Sequence, residues 1–188
     1  MSTPPDDNFA SRAGQKLAHA LSSFRVDPTG WTCADLGANA GGFTDCLLRA
    51  GAAKVYAVER GYGVLDFRVR RDPRVVVMER TDALRVHLPE PVNLITIDTG
   101  WTRQSLILPV ARSLLAPGGQ IISLIKPHYE ADPTDLADGV LPEQLMEKTI
   151  APIRAALQSM KLQLIAETES PLQGHGGNRE RLWHLRPL

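Results

Sequence analysis

The chain has 188 residues, 43% of them apolar and 22% charged, with 21 basic and 21 acidic side chains and no net charge. Length predicts a single domain that buries roughly 70% of its unfolded surface, and the composition excludes disorder, collagen and coiled coil. Zero net charge excludes a global field able to hold a polyanion, so any nucleic acid must meet a local patch or arrive with help.

Residues 1–8 read as a disordered polar tail, and 9–188 as the one domain. Met1–Asp7 carries neither the basic nor the apolar region of a signal peptide. No apolar run approaches the ~18 residues of a membrane span. Cys33 and Cys46 fall in segments that read as core, too few for a four-ligand zinc site. Together these predict a reduced, cytoplasmic, soluble protein with no membrane partner.

Leu17, Leu21 and Phe24 recur at helical spacing, with Ala13 and Ala20 beside them, and predict a short amphipathic helix. Asp27-Pro28-Thr29-Gly30 makes a turn. Strands then read as Thr32 to Leu36, Lys54 to Glu59, Arg74 to Met78, Asn93 to Asp98, Gln120 to Lys126, Leu162 to Glu167 and Arg181 to Leu185. Helical stretches follow the first, second, fourth and fifth, and Pro117-Gly118-Gly119 stops the one after the fourth. Such alternation predicts a Rossmann-like, doubly wound α/β fold with a mostly parallel sheet. The connector around Gly174-His175-Gly176-Gly177-Asn178 has no room for a crossover helix, so the last two strands should be an antiparallel edge pair. In such sheets ligands sit beyond the carboxyl ends of the strands.

The loop after the first strand is Asp35-Leu36-Gly37-Ala38-Asn39-Ala40-Gly41-Gly42-Phe43-Thr44. A P-loop needs lysine where Phe43 stands. A dinucleotide loop needs a middle glycine where Asn39 stands. S-adenosylmethionine carries no phosphate and requires neither device. It calls for an open glycine turn, an acid for its ribose diol and a polar partner for adenine. Glu59 ends the second strand, 22 residues after Gly37, and Asp82 follows the third. Either acid alone is more often a solvated strand-end residue; the ordered set of three favours a site.

With these residues in view, the sequence resembles the FtsJ-like ribose 2′-O-methyltransferases, and within them the TlyA-type branch that also carries the haemolysin name. The resemblance runs from about Ser11 to Leu185. It rests on Ser11 to Leu17, the loop from Asp35 to Thr44, Ala57 to Gly63, Leu124-Ile125-Lys126-Pro127, and Gly177-Asn178-Arg179-Glu180. It implies a class I methyltransferase fold and a Lys-Asp-Lys-Glu tetrad on Lys16, Asp98, Lys126 and Glu180. It also implies an S-adenosylmethionine site on Asp35, Gly37, Asn39, Gly41, Gly42, Phe43, Glu59, Arg60, Asp82, Ala83 and Asp98. The implied acceptor is a ribose 2′-hydroxyl of RNA, ribosomal RNA or a ribosomal particle by the TlyA-type likeness. Only 5 of the 21 basic residues are lysines, and two fall in the tetrad; lysine can act as a base where arginine cannot.

Asp98 is followed by Thr99-Gly100-Trp101 where the family has Val-Ser-Phe, and by no Asp/Asn-Pro-Pro-aromatic element of an amino-directed enzyme. Trp101 is suited either to stack on a base or to cover its loop, and His128 and Tyr129 either line the acceptor site or pack a loop. The TlyA-type likeness implies an S4-like RNA-binding domain ahead of the catalytic part; the sequence reads as the catalytic part without it, so the expectation is a separate RNA-binding partner. Positions 130 to 147 hold six acids and no lysine or arginine, whereas Arg60 to Arg85 hold seven arginines against four acids. The second is a candidate phosphate-binding patch or a merely solvated face. The competing readings are a small-molecule O-methyltransferase and a non-catalytic cofactor-binding subunit.

Overall fold

In a computed structural model, which describes residues 9–188, the strands are β1 (Thr32–Leu36), β2 (Lys54–Val58), β3 (Val75–Met78), β4 (Val92–Ile97), β5 (Leu115–Ile125), β6 (Leu162–Glu169) and β7 (Arg181–Pro187). The tail expected over 1–8 lies outside the described residues. The helices are α1 (Ala13–Phe24), α2 (Gly42–Arg49), α3 (Phe67–Arg71), α4 (Gln104–Ser113), α5 (Pro127–Glu130) and α6 (Glu143–Ala156). The strands form one sheet in the order β3-β2-β1-β4-β5-β7-β6. Neighbours from β3 to β5 are parallel, and β7 runs antiparallel to both β5 and β6. This is the doubly wound arrangement with an antiparallel pair that the alternation predicts.

Burial explains the topology. β1, β2 and β4 are almost continuously buried, as parallel strands covered on both faces must be. Edge strand β6 alternates buried or half-buried with exposed positions, because one of its faces meets water. Successive side chains point to opposite sides of the sheet. Ala34, Leu36, Tyr56, Val58, Ile95 and Ile97 pack with Ile107 and Leu108 of α4 and Met146 and Ile150 of α6. Cys33, Val55, Ala57, Leu94 and Ile122 pack with Leu17 and Leu21 of α1 and Phe43 and Leu47 of α2. Both cysteines are free and buried, and burial pushes each thiol up to about 12. No helix among the described residues is long and apolar enough to cross a membrane.

One element departs from expectation. The helix after β4 ends at Ser113, before Pro117-Gly118-Gly119, and β5 already begins at Leu115. Val92 pairs with Leu115 and Leu94 with Gln120, so Ala116–Gly119 bulge out opposite Asn93. The helix stops because Leu114 turns back to accept from the Val92 N–H at 3.0 Å. The Pro-Gly-Gly run therefore shapes a bulge within a strand.

Asp35 fastens these layers beneath the first loop. Its fully buried carboxylate on β1 accepts from the Thr44 hydroxyl of α2 at 2.7 Å and the Thr96 hydroxyl of β4 at 3.0 Å. Burial pushes the carboxyl up to about 7, outweighing both hydrogen bonds, which pull it down. In the unfolded chain the same group ionises near pH 4. Between about pH 4 and 7 the folded state therefore keeps a proton that the unfolded state has released, and stability falls as pH rises. Asp35→Asn keeps a hydrogen-bonding group without this titration. Thermal melts should show a larger drop in Tm from pH 5 to pH 8 for wild type than for Asp35→Asn; parallel drops would refute the assignment.

Candidate active site

The site begins where β1 ends. The Gly37 and Ala38 N–H groups both donate to the Val58 carbonyl of β2, at 2.9 and 3.0 Å. Gly37 has φ +91°, and a Cβ there would stand 2.8 Å from the Asp98 carbonyl oxygen, so only glycine lets the β1 and β4 loops lie this close. Asn39 follows at φ +47°, a left-handed conformation that asparagine tolerates. Its N–H donates to Glu59 Oε2 at 2.8 Å, and the Gly61 N–H donates to Oε1 at 2.7 Å. The Glu59 carboxylate is thus fixed against the loop. Asp82 is exposed and accepts from the Leu84 N–H at 3.0 Å, capping a single 3-10 turn.

These groups enclose a cavity of about 420 Å³, lined by Gly37, Asn39, Glu59, Arg60, Asp82, Ala83 and Asp98 among the expected residues. Val58, Thr81, and Thr99 to Thr102 complete the wall; of these, only the loop after Asp98 attracts attention in the sequence. The other expected cofactor residues stand behind it. Asp35 is engaged as described, Phe43 lies in the core, and Gly41 and Gly42 make room for Leu65 and Ser11.

Lys16, Asp98, Lys126 and Glu180 come together as two ion pairs. Lys126 Nζ lies 2.5 Å from Asp98 Oδ1 and donates to the Thr99 carbonyl at 3.4 Å. Lys16 Nζ donates to Glu180 Oε2, both side chains being buried. Burial pushes the Glu180 carboxyl above its ordinary range. Lys16 and, through space, Lys126 pull it down, and Asp98 pushes it up, so the two pairs share one field. Glu180 reaches them because β7 is reversed. Ile125 pairs with Arg181, which sets the residue before β7 beside Lys126.

Gly174, which the sequence shows only as part of a connector, is essential to this geometry. A Cβ at 174 would lie 2.4 Å from Glu180 Oε1, so the connector closes over the carboxylate only as glycine. Asn178 holds the connector down: its backbone carbonyl accepts from Gly174 N–H at 2.8 Å, and its side chain bonds Leu141 and Gly139.

Beside the pairs stands an aromatic group. Trp101 is 84% exposed and stacks on Tyr129, with ring centroids 4.6 Å apart. Tyr129 leans on His128 and faces Lys126 Nζ at 5.8 Å. Trp101 has φ +59°, a conformation that a bulky side chain adopts at a cost of about 1–2 kcal/mol. The acidic segment is partly neutralised: Glu143 pairs with Arg179 at 2.6 Å and Glu147 with Arg181 at 2.8 Å, while Glu130 accepts from the Gln104 N–H at the start of α4.

Two lysines held by carboxylates, next to a cavity with carboxylates at its rim, equip this site to hold a polar ligand and to move a proton. Neither cysteine can act as a nucleophile here, since both thiols are buried and protonated.

A family model of FtsJ-like methyltransferases matches residues 9–186. The chain is 35% identical over 190 residues to the 16S/23S rRNA (cytidine-2′-O)-methyltransferase TlyA of Mycobacterium tuberculosis, covering 98% of this chain and 70% of that protein. The solved structure of a hemolysin-named protein from Streptococcus thermophilus superposes with TM-score 0.91 at 33% identity, covering 96% of this chain and 67% of that one. A protein from Listeria monocytogenes named as an S-adenosylmethionine dependent methyltransferase shares the fold at 16% identity and TM-score 0.68, covering 95% of this chain and all of its own.

Removing one member of a buried ion pair strands the other. Lys16→Ala should lower the unfolding free energy by about 3–5 kcal/mol, and Lys16→Met/Glu180→Leu should recover most of that loss. Urea denaturation of the two variants checks this; a double variant no more stable than the single would show that the pair is not the cause.

Proposed function

We propose, from the premise that this chain belongs to the FtsJ-like methyltransferase family, that it transfers a methyl group from S-adenosylmethionine to a ribose 2′-hydroxyl of RNA, ribosomal RNA in particular. The observation that carries the reading is the convergence of Lys126–Asp98 and Lys16–Glu180 beside a cavity edged by Glu59 and Asp82.

The cavity suits the cofactor on several grounds. Gly37 lets the β1 and β4 loops close the cavity floor, and the Thr99 hydroxyl in its wall is buried without a hydrogen-bond partner among the described residues. Glu59 is held by two amides and retains lone pairs for a ribose diol. Asp82 keeps an acceptor oxygen for an adenine amino group. Bound there, S-adenosylmethionine supplies an electrophilic methyl group on a cationic sulfur.

The tetrad residues then serve the acceptor. A 2′-hydroxyl is a weak acid, so a base must draw off its proton as its oxygen attacks. Lys126 in its neutral form is that base. Asp98 and the Thr99 carbonyl orient the amine and stabilise the positive charge that grows on it. Glu180 holds Lys16 beside this pair, where its ammonium can position the acceptor ribose. Much of the acceleration comes from holding the acceptor oxygen in line. Trp101, stacked on Tyr129 at the rim, offers its free face to the acceptor base.

The test offers radiolabelled S-adenosylmethionine to ribosomal RNA and to assembled ribosomal particles, followed by alkaline hydrolysis. A 2′-O-methyl group blocks cleavage, so label should appear in alkali-stable dinucleotides; label in mononucleotides would mean base methylation and overturn the reading. Lys126→Ala should reduce turnover about 100-fold or more with cofactor affinity kept. Asp82→Ala should weaken cofactor binding about tenfold, as calorimetry would measure. Trp101→Ala should raise KM for RNA by a larger factor than it weakens cofactor binding, since the residue borders both sites; an unaltered KM would remove the residue from the acceptor site.

A further inference from the structure

The arginine-rich segment beyond β2 is not used by the mechanism above, and its charges are unevenly satisfied. Three of its acids are tied to its own arginines: Asp66 to Arg68 at 3.2 Å, Asp72 to Arg74 at 2.7 Å, and Glu79 to Arg70. Glu79 also accepts from the Gly63 N–H at 2.9 Å and is almost wholly covered, so it acts as an internal counter-ion. Asp82 faces the cofactor cavity. Arg60, Arg71, Arg80 and Arg85 remain exposed, with no ion pair among the described residues.

Two of these four lie over aromatic rings that also face solvent. The Arg71 guanidinium sits 4.1 Å from the centroid of Phe67, and that of Arg80 sits 4.2 Å from Tyr62. Phe67 is 62% and Tyr62 69% exposed. A ring so exposed contributes little to the fold, and an arginine lying on it is pre-ordered for an anion. The loop carrying Tyr62 is continuous with the cavity wall. Arg80 N–H donates to the Gly61 carbonyl at 3.1 Å, Thr81 N–H to the Glu59 carbonyl at 3.0 Å, and Arg60 lines the cavity itself.

The opposite flank has the reverse character. Asp135 and Asp138, on the segment between α5 and α6, make no ion pair among the described residues and add negative charge to a flank that a phosphate chain would avoid.

Building on the RNA reading of the active site, we propose that the Tyr62–Arg80 and Phe67–Arg71 pairs form a track for a single strand of the substrate RNA as it leaves the crevice. The guanidiniums take phosphates, and the two rings take bases. Phosphate contacts supply affinity without sequence preference, and ring stacking accepts any base. An acidic peptide would satisfy the guanidiniums and leave the rings unused; an RNA strand satisfies both. The track is independent of Lys126 and Asp98, so its loss acts on RNA affinity rather than on the transfer step.

The test is filter binding of radiolabelled, deproteinised ribosomal RNA across a salt series, with wild type, Arg71→Ala/Arg80→Ala, Tyr62→Ala/Phe67→Ala, Arg71→Lys/Arg80→Lys and, on the far end of α1, Arg25→Gln. Loss of two phosphate contacts should make the slope of log affinity against log salt shallower by about 1.4. Loss of the rings should weaken binding about tenfold or more with the slope kept. The lysine variant should keep the slope and lose part of the affinity, and Arg25→Gln should match wild type. Cofactor affinity by calorimetry should be unchanged in all five proteins, which separates a lost surface from a lost fold. If wild type binds and methylates RNA while the track variants stay within twofold of it, the track is wrong and the active-site reading stands. If wild type binds no RNA, the track falls, and the methylation assay on ribosomal particles decides the active-site reading separately. If the arginine variants lose binding to polyglutamate but not to RNA, the surface serves an acidic protein and the track is overturned.

Discussion

A lysine and a glutamate 164 positions apart share a hydrogen bond out of reach of water, and much of the molecule is arranged to make that possible. Bringing two charges out of solvent is costly unless each meets the other in good geometry. Lys16 must therefore sit on a helix packed against the sheet, where Leu17, Ala20 and Leu21 bury the same face of α1. Glu180 must arrive from the opposite end of the sequence, and the reversed strand β7 brings it. In a parallel strand the residue at the carboxyl edge is the last one; in β7 it is the residue just before the first. A chain that continued the parallel pattern would leave Glu180 at the wrong end of the sheet.

The same economy of space governs the first loop. Gly37 lets the β1 and β4 loops touch, and Asp35 beneath it ties β1, β4 and α2 through two hydroxyls. Charges near the surface are handled differently. Glu59 and Asp82 are held by backbone N–H groups, not by cations, so their negative charge still faces the cavity. Charge is thus cancelled where it is buried and left open where a ligand must be met.

Much of this was legible in the sequence. Hydrophobic periodicity determines where a strand stops, and Asp98, Lys126 and Glu59 each follow a buried strand directly, so their convergence could be read before any coordinates. β1 begins and ends where its residues predict, and the shortness of the connector between β6 and β7 forced their antiparallel pairing. What stayed hidden depends on contacts between distant segments. Asp35 and Phe43 belong to the glycine loop by sequence, yet their side chains are buried behind the cavity, and Gly41 and Gly42 stand against Leu65 and Ser11, contacts that no local pattern specifies. Gly174 looks like any turn glycine until Glu180 is seen against it. Ala116–Gly119 carries a helix-stopping composition, but whether such a run ends a helix or bulges a strand depends on the partner strand, which local sequence does not specify.

The position of β7 between β5 and β6 has a consequence in time. β7 is translated after both of its neighbours and fills the gap between them, and until it does, β6 has no neighbour in this sheet. Strand pairings between remote segments form slowly, since a long loop must close before any contact rewards it. During synthesis the earlier strands and helices have time to settle, but Lys16 waits without its carboxylate until Glu180 emerges 164 positions later. Completion of this sheet and closure of the Lys16–Glu180 pair are then a single event, and a chain halted before β7 has neither.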